Sequence, residues 1–131
     1  MGLAIDNSKV ELARRVLVVD SNPNLRHLYV QALERAGYEV HAATTIQEAR
    51  RLLGDHEFNV FLSDTHFNNR DLGVGLLLEQ LTLFAAKNIK TIVMSSHIQY
   101  ELICQKMGVD VFLVKPIAID RLVTLVNRLA H

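Results

Sequence analysis

Two aspartates, a serine and a lysine, widely separated along a chain of 131 residues, each close a short apolar run. Asp20 follows Val16-Leu17-Val18-Val19, and Asp64 follows Val60-Phe61-Leu62-Ser63. Ser95-Ser96 follows the run from Ile89 to Met94, and Lys115 follows Val111 to Val114. Two carboxylates held close together repel, and each raises the other's pKa unless a cation sits beside them. The Lys115 ammonium is one candidate cation; a hard divalent ion such as Mg²⁺, which prefers oxygen ligands, is the other. A serine hydroxyl nearby can hydrogen-bond a developing oxyanion. That set suits a phosphoryl group moved onto or off a carboxylate. Each residue alone has an ordinary explanation, since Asp caps helices, Ser pairs fill loops and Lys-Pro is a common surface dipeptide. The informative feature is that all four fall in the same kind of place.

The segments between them explain why. After Asp20, Ser21-Asn22-Pro23 supplies a capping side chain and a proline suited to the first turn of a helix. Leu25, Leu28, Tyr29, Ala32, Leu33 and Ala36 then recur at three and four residues, and Gly37 marks the stop. Tyr38 to Ala42 reads as a second, weaker strand. Thr45 and Glu48 have capping-box spacing before a helix with Ile46, Ala49, Leu52 and Leu53 on one face and Gly54 as its stop. A third helix is expected from about Val74 to Ala86, with Val74, Leu77, Leu78, Leu81 and Phe84 as its main stripe and Leu76 and Leu83 off it. A fourth runs from about Ile98 to Met107 and stops at Gly108. The last carries Leu122, Val123, Val126 and Leu129, with Asp120 near its positively polarised start. Strand and helix alternate five times. Continuous apolar strands imply burial on both faces, hence a parallel sheet covered by helices on each side. Right-handed crossovers bring all strand C-termini to one edge, where ligands of such sheets bind. In the strand order 2-1-3-4-5, the first and third strands are neighbours, and Asp20 comes beside Asp64.

Composition narrows the function classes. Lys and Arg number 14, as do Asp and Glu, and half of the residues are hydrophobic. The length suits one domain, and the balance of charge gives no electrostatic reason to bind nucleic acid or a membrane surface directly. The single Cys104 excludes an intramolecular disulfide and fits a reducing compartment. No apolar run approaches a membrane span, and the N-terminus lacks the order of a secretory signal, so a cytoplasmic location is expected. Residues 1–14 read as an N-terminal arm and residues 15–131 as the domain.

The stretches VLVVDSN (Val16–Asn22), VFLS before Asp64, Val93-Met94-Ser95-Ser96, and Cys104-x-x-x-Gly108-Val109-x-x-Phe112-Leu113-x-Lys115-Pro116 resemble a response-regulator receiver domain of the CheY-like family. The resemblance implies an α/β fold, a doubly wound (βα)5 flavodoxin-like sandwich. It implies that Asp64 is the phosphoacceptor, receiving its group from a histidine kinase or phosphotransfer protein of a two-component system. Asp20 and Asp64, with the backbone carbonyl of His66, would hold Mg²⁺. Ser95 would be the hydroxyl that moves toward the phosphoryl group, Lys115 the cation that contacts it, and Phe112 the aromatic that turns inward on activation. The Lys115–Pro116 bond would be cis. Such a domain is a signalling switch, at most catalysing its own phosphorylation and dephosphorylation.

Two departures from the family pattern, at Ser21 and in the loop after Asp64, and two positions that vary within it bear on this. Ser21 stands where a second acid usually touches the metal, and a hydroxyl is a poorer Mg²⁺ ligand than a carboxylate. Asp20 then shifts to ligate directly, or the domain is a degenerate receiver that works as a phosphorylation-independent interaction module. The loop after Asp64 has Asn68 in the usual proline place and about two extra residues, with Gly73 or Gly75 opening the third helix; a more mobile loop is expected, and Arg70 reads as a solvated charge. His66 and His97 occupy two positions that affect phosphoryl lifetime; an imidazole there either orients water or shields the group, or is simply an exposed loop residue. Cys104 reads as a packed small hydrophobe. The apolar residues of the fourth helix suggest a partner or homodimer surface on the face formed by the fourth helix, fifth strand and fifth helix. A haloacid-dehalogenase-type phosphatase is disfavoured, because that class wants an Asp two residues after its nucleophile and neither Asp20 nor Asp64 has one. A flavin site is disfavoured for want of a phosphate cradle after Val19.

Overall fold

The computed structural model describes residues 13–66, 70 and 72–131. Five strands, β1 (Arg15–Val19), β2 (Glu39–Ala43), β3 (Val60–Asp64), β4 (Lys90–Ser95) and β5 (Val111–Val114), form one parallel sheet in the order β2-β1-β3-β4-β5. Between and after them come α1 (Pro23–Arg35), α2 (Ile46–Asp55), α3 (Leu72–Ala86), a 3₁₀ turn (Ile98–Tyr100) leading into α4 (Glu101–Lys106), and α5 (Ile119–Ala130).

Alternation along the strands builds two cores. Leu17, Val19, Phe61 and Val93 pack with Ala49, Leu52, Leu76, Leu77, Phe84 and Cys104 on the side of α2, α3 and α4. Val16, Val18, Val60, Leu62, Ile92 and Met94 pack with Tyr29, Leu33, Leu122 and Val126 on the side of α1 and α5. Burial on both faces is what the unbroken apolar strands require.

The helix signals act locally as their chemistry suggests. Asn22 caps α1 by accepting from the N–H groups of Asn24 and Leu25, with Pro23 in the first turn. Thr45 Oγ1 accepts from Glu48 N at 3.1 Å, while the Glu48 carboxylate accepts from Thr44 N. Gly37 and Gly108 adopt positive φ where α1 and α4 end, a conformation with little cost for glycine.

Several sequence expectations shift. Gly54 lies inside α2, which continues through Asp55 to a cap at His56. The fourth helix divides into a 3₁₀ turn and a six-residue α-helix. On α1, Leu28 faces solvent while Tyr29 and Leu33 are buried. On α3, Leu76 is buried and Leu78 is 56% exposed, the reverse of the expected stripe. The reason is Gly73: a Cβ at that position would overlap the carbonyl oxygen of Asp64, so this glycine packs directly on the end of β3. Pressing Gly73 inward fixes the rotation of α3 and carries Leu76, Leu77 and Phe84 to the core at helical spacing. Gly73 therefore is the helix-opening glycine, and Gly75 is exposed. The expected N-terminal arm, apart from residues 13 and 14, and Asn68, Asn69 and Asp71 of the loop after β3 lie outside the described residues. Arg70 is exposed.

Candidate functional site

Register sets the site. Val19 of β1 pairs with Ser63 of β3, so Asp20 and Asp64 each stand one residue beyond that pair at the C-terminal edge of two neighbouring strands. Lys115 follows β5, and its N–H donates to the carbonyl of Ser95 at 2.8 Å, tying the end of β5 to the end of β4. The side chains of all three converge. Lys115 Nζ donates to Asp20 Oδ2 at 3.0 Å and to Asp64 Oδ2 at 2.9 Å. Asp20 is fully buried, and the side chains of Asp64 and Lys115 are only 14% and 11% exposed. The other carboxylate oxygens are also engaged. Asp20 Oδ1 accepts from Asn22 N at 2.9 Å, and Asp64 Oδ1 accepts from His66 N at 3.2 Å.

Two carboxylates around one ammonium leave an excess of negative charge in a largely buried hollow. Burial on its own lowers the pKa of Lys115. The hydrogen bond to Asp64 and the attraction of both carboxylates outweigh it, and the net result is an ammonium held above its ordinary range. Lys115 therefore stays charged throughout the physiological range. Beneath the hollow, burial raises the Tyr29 phenol; Lys115 opposes that, and Asp20 and Asp64 add to it.

Ser95, the last residue of β4, is fully buried, and its Oγ lies 2.7 Å from Thr65 Oγ1. It also accepts from His97 N at 2.9 Å. Thr65 Oγ1 lies 2.9 Å from His66 Nδ1. The rings of His66 and His97 stack with centroids 4.0 Å apart, and Tyr100 meets His66 edge-on at 5.1 Å. The two histidines are therefore a packed pair and not independent loop residues. Phe112 is half-buried against the core on the α4 side, Cys104 is buried, and the Lys115–Pro116 bond is cis.

The structure thus gathers Asp20, Asp64 and Lys115 in one hollow and sets Ser95 and His66 beside it, one hydrogen-bonded network away. Ser21, half-buried, follows Asp20 in the loop before α1. Three contributors carry little or no sequence signal for this role. Thr65 was only a loop residue, although a hydroxyl directly after Asp64 could have been noticed. Arg26, whose Nη1 donates to the backbone carbonyl of Asp20 at 2.9 Å, gave no signal beyond being a cation in the first turns of a helix. Asn22 caps α1, as its type suggests, and also holds Asp20 through its N–H.

Does the donor set fit a divalent ion? Asp20 and Asp64 already converge on one cation, the ammonium. They are hard oxygen donors of the kind Mg²⁺ takes. Among the described residues, however, no group of three or more His, Cys, Asp or Glu side chains is arranged to hold a metal. The set fits, with two carboxylates and no third.

A family model, the response regulator receiver domain, matches residues 16–127. The chain belongs to that family. This receiver domain is 36% identical over 106 residues to the two-component response regulator-like protein APRR3 of Arabidopsis thaliana and 33% identical over 107 residues to APRR7 of the same plant. Each match covers 79% of this chain but only 21% and 15% of those proteins, so the chain spans about a fifth of their length or less. Among solved structures, a CheY-like receiver from Methanospirillum hungatei superposes with a TM-score of 0.83 at 24% identity, covering 91% of this chain and 94% of that one. The receiver domain of Francisella response regulator 1452 gives 0.79 at 26%, covering 89% and 96%. The response regulator TrrA from Thermotoga maritima, solved in complex with Mg²⁺ and BeF, gives 0.76 at 26%, covering 88% and 98%. The receiver is a signalling domain of the two-component type. Among the described residues no helix is long and apolar enough to cross a membrane.

Proposed function

We propose that this receiver is a phosphorylation switch in which Asp64 takes a phosphoryl group from a phosphohistidine of a histidine kinase or phosphotransfer protein. The phosphorus–nitrogen bond of the donor breaks as an Asp64 oxygen bonds to phosphorus. The observation that carries the reading is the shared grip of Lys115 on Asp20 and Asp64 at 3.0 and 2.9 Å. Lys115 holds the acceptor carboxylate in place before transfer and stays beside it afterwards, where it offsets the charge the phosphoryl group adds. Asp20, Asp64 and the His66 carbonyl would hold Mg²⁺, with the Ser21 hydroxyl a weak further donor. Bound there, the ion would neutralise charge on the phosphoryl oxygens. Ser95 donates to a phosphoryl oxygen once the group is in place, and Phe112 turns into the space that Ser95 leaves. The output surface is the face of α4, β5 and α5, where Leu102, Ile103 and Val114 are exposed, with Ile98 of the preceding 3₁₀ turn; a protein partner or a second copy docks there.

The test is acetyl phosphate with Mg²⁺, read by intact mass. The wild-type chain is expected to gain one phosphoryl group, and Asp64→Asn none. A wild-type chain that gains nothing, and binds no Mg²⁺, would instead favour the phosphorylation-independent interaction module.

Ser21 gives a separate prediction. Restoring an acid with Ser21→Asp adds a third carboxylate, and the affinity for Mg²⁺ or Tb³⁺ is expected to rise about tenfold, because affinity follows the charge of the ligand set. Terbium luminescence titration of both proteins checks it; equal affinities would mean that position 21 does not reach the ion.

A further inference from the structure

The hydroxyl that the proposed switch must move already has a partner. Ser95 Oγ and Thr65 Oγ1 are 2.7 Å apart, and both residues are fully buried. Ser95 also accepts from His97 N at 2.9 Å, and the other acceptor its proton reaches among the described residues, the His97 carbonyl at 3.4 Å, is distant. Thr65 is anchored on its far side by His66 Nδ1 at 2.9 Å. The chain from His66 through Thr65 and Ser95 to His97 crosses from the end of β3 to the end of β4. The stacked rings of His66 and His97 join the same two loops a second time.

We propose that Thr65 is a positioning residue that latches the Ser95 hydroxyl in the resting site, and that opening the Thr65–Ser95 hydrogen bond sets how readily the site switches. The proposal rests on the reading of Ser95 as the hydroxyl that moves to the phosphoryl group. A serine hydroxyl has one proton. When Ser95 gives it to Thr65, a phosphoryl oxygen competes directly for it. When Thr65 is the donor, Ser95 must surrender that bond in order to move. Either way the resting state holds a buried hydrogen bond that the switched state lacks. Such a bond favours the state that contains it by an amount equivalent to about two- to tenfold in an equilibrium.

Removing the Thr65 hydroxyl therefore loosens the resting state relative to the switched state, because its bond to His66 is lost from both and cancels. Beryllofluoride with Mg²⁺ serves as the phosphoryl analogue, titrated into wild type, Thr65→Val and Thr65→Ser and followed through the amide NMR signals of Ser95, His97 and Phe112. Thr65→Val, which keeps the shape of the side chain, is expected to half-saturate at about two- to tenfold lower beryllofluoride than wild type. Thr65→Ser is expected to behave as wild type. Thr65→Ala is a second variant with the same expected direction, and cooperative melting confirms that each variant is folded. A packing defect would weaken the response, so tighter binding is a signature that a merely structural role would not produce. Unchanged or weaker binding in the Val and Ala variants would overturn the proposal. If the wild type itself does not respond, the phosphoacceptor reading fails, and ligand-free relaxation dispersion decides the latch. Millisecond exchange at Ser95 to His97 in Thr65→Val, absent from wild type and Thr65→Ser, supports it; identical profiles overturn it.

Discussion

Lys115→Met is expected to destabilise the fold by about 3 kcal/mol at neutral pH, because removing one partner of a buried charge cluster leaves the others uncompensated. Methionine keeps the unbranched length of the stem, so packing changes little and the loss reports charge. Asp20 is fully buried and Asp64 is only 14% exposed, so solvent screens neither carboxylate well. The sign of the pH dependence follows from the raised pKa of Lys115. A group whose pKa is higher in the folded state stabilises fully below its unfolded value, about 10.4 for lysine, and loses that contribution as pH rises through the folded value. Urea denaturation should show wild type well above Lys115→Met at pH 7 and the two curves approaching each other above about pH 10.4. Adding Asp64→Asn to Lys115→Met removes one uncompensated carboxylate and should restore part of the loss. A Lys115→Met chain as stable as wild type at pH 7 would show that the ammonium contributes nothing to the fold.

Gly73→Ala is expected to be comparably severe, at about 3 kcal/mol, the upper end of the usual cost of overpacking. The new methyl group meets backbone and not the yielding end of a side chain: the carbonyl of Asp64 and the peptide that follows it. Either the start of α3 moves outward, breaking the hydrogen bond from Gly73 N to Thr65 O at 3.0 Å, or β3 moves at its end and takes Asp64 with it. Thermal melting reads the first effect and acetyl phosphate labelling of Asp64 the second. Gly75→Ala is the control, since a Cβ there meets nothing and the exposed helical position favours alanine slightly. Indistinguishable melting of the two alanine variants would refute the close approach.

These residues show how far sequence reading reached. The fold was legible because its signals are periodic: apolar runs that need burial on both faces, Gly37 and Gly108 where two of the helices stop, and alternation of strand with helix five times over. Given that order, Asp20, Asp64, Ser95 and Lys115 had to share an edge, and the structure brings Asp20, Asp64 and Lys115 into direct contact. Rotational detail was less legible. Leu76 and Leu78 are the same residue type two positions apart, and only the approach of Gly73 to Asp64 decides which of them faces the core. Long-range hydrogen bonds were not legible either. Nothing in the string distinguishes Thr65 as the partner of Ser95, because that pairing depends on where two strands end relative to each other. The stacking of His66 on His97 was hidden for the same reason. Ser21 was visible as a departure, and what it does to metal affinity depends on a third donor that no local pattern reveals.

The pairing of Val19 with Ser63 has a consequence for how this site can be lost. With side chains alternating between two buried cores, β1 and β3 act as a ruler whose smallest division is one residue. Deleting a single residue from either strand would turn its carboxylate to the opposite side of the sheet and draw it back by about 3.3 Å. Neither acid need be substituted for their meeting with Lys115 to end. A frame-preserving codon loss in the hydrophobic interior would silence the rim as surely as a change at Asp64 itself.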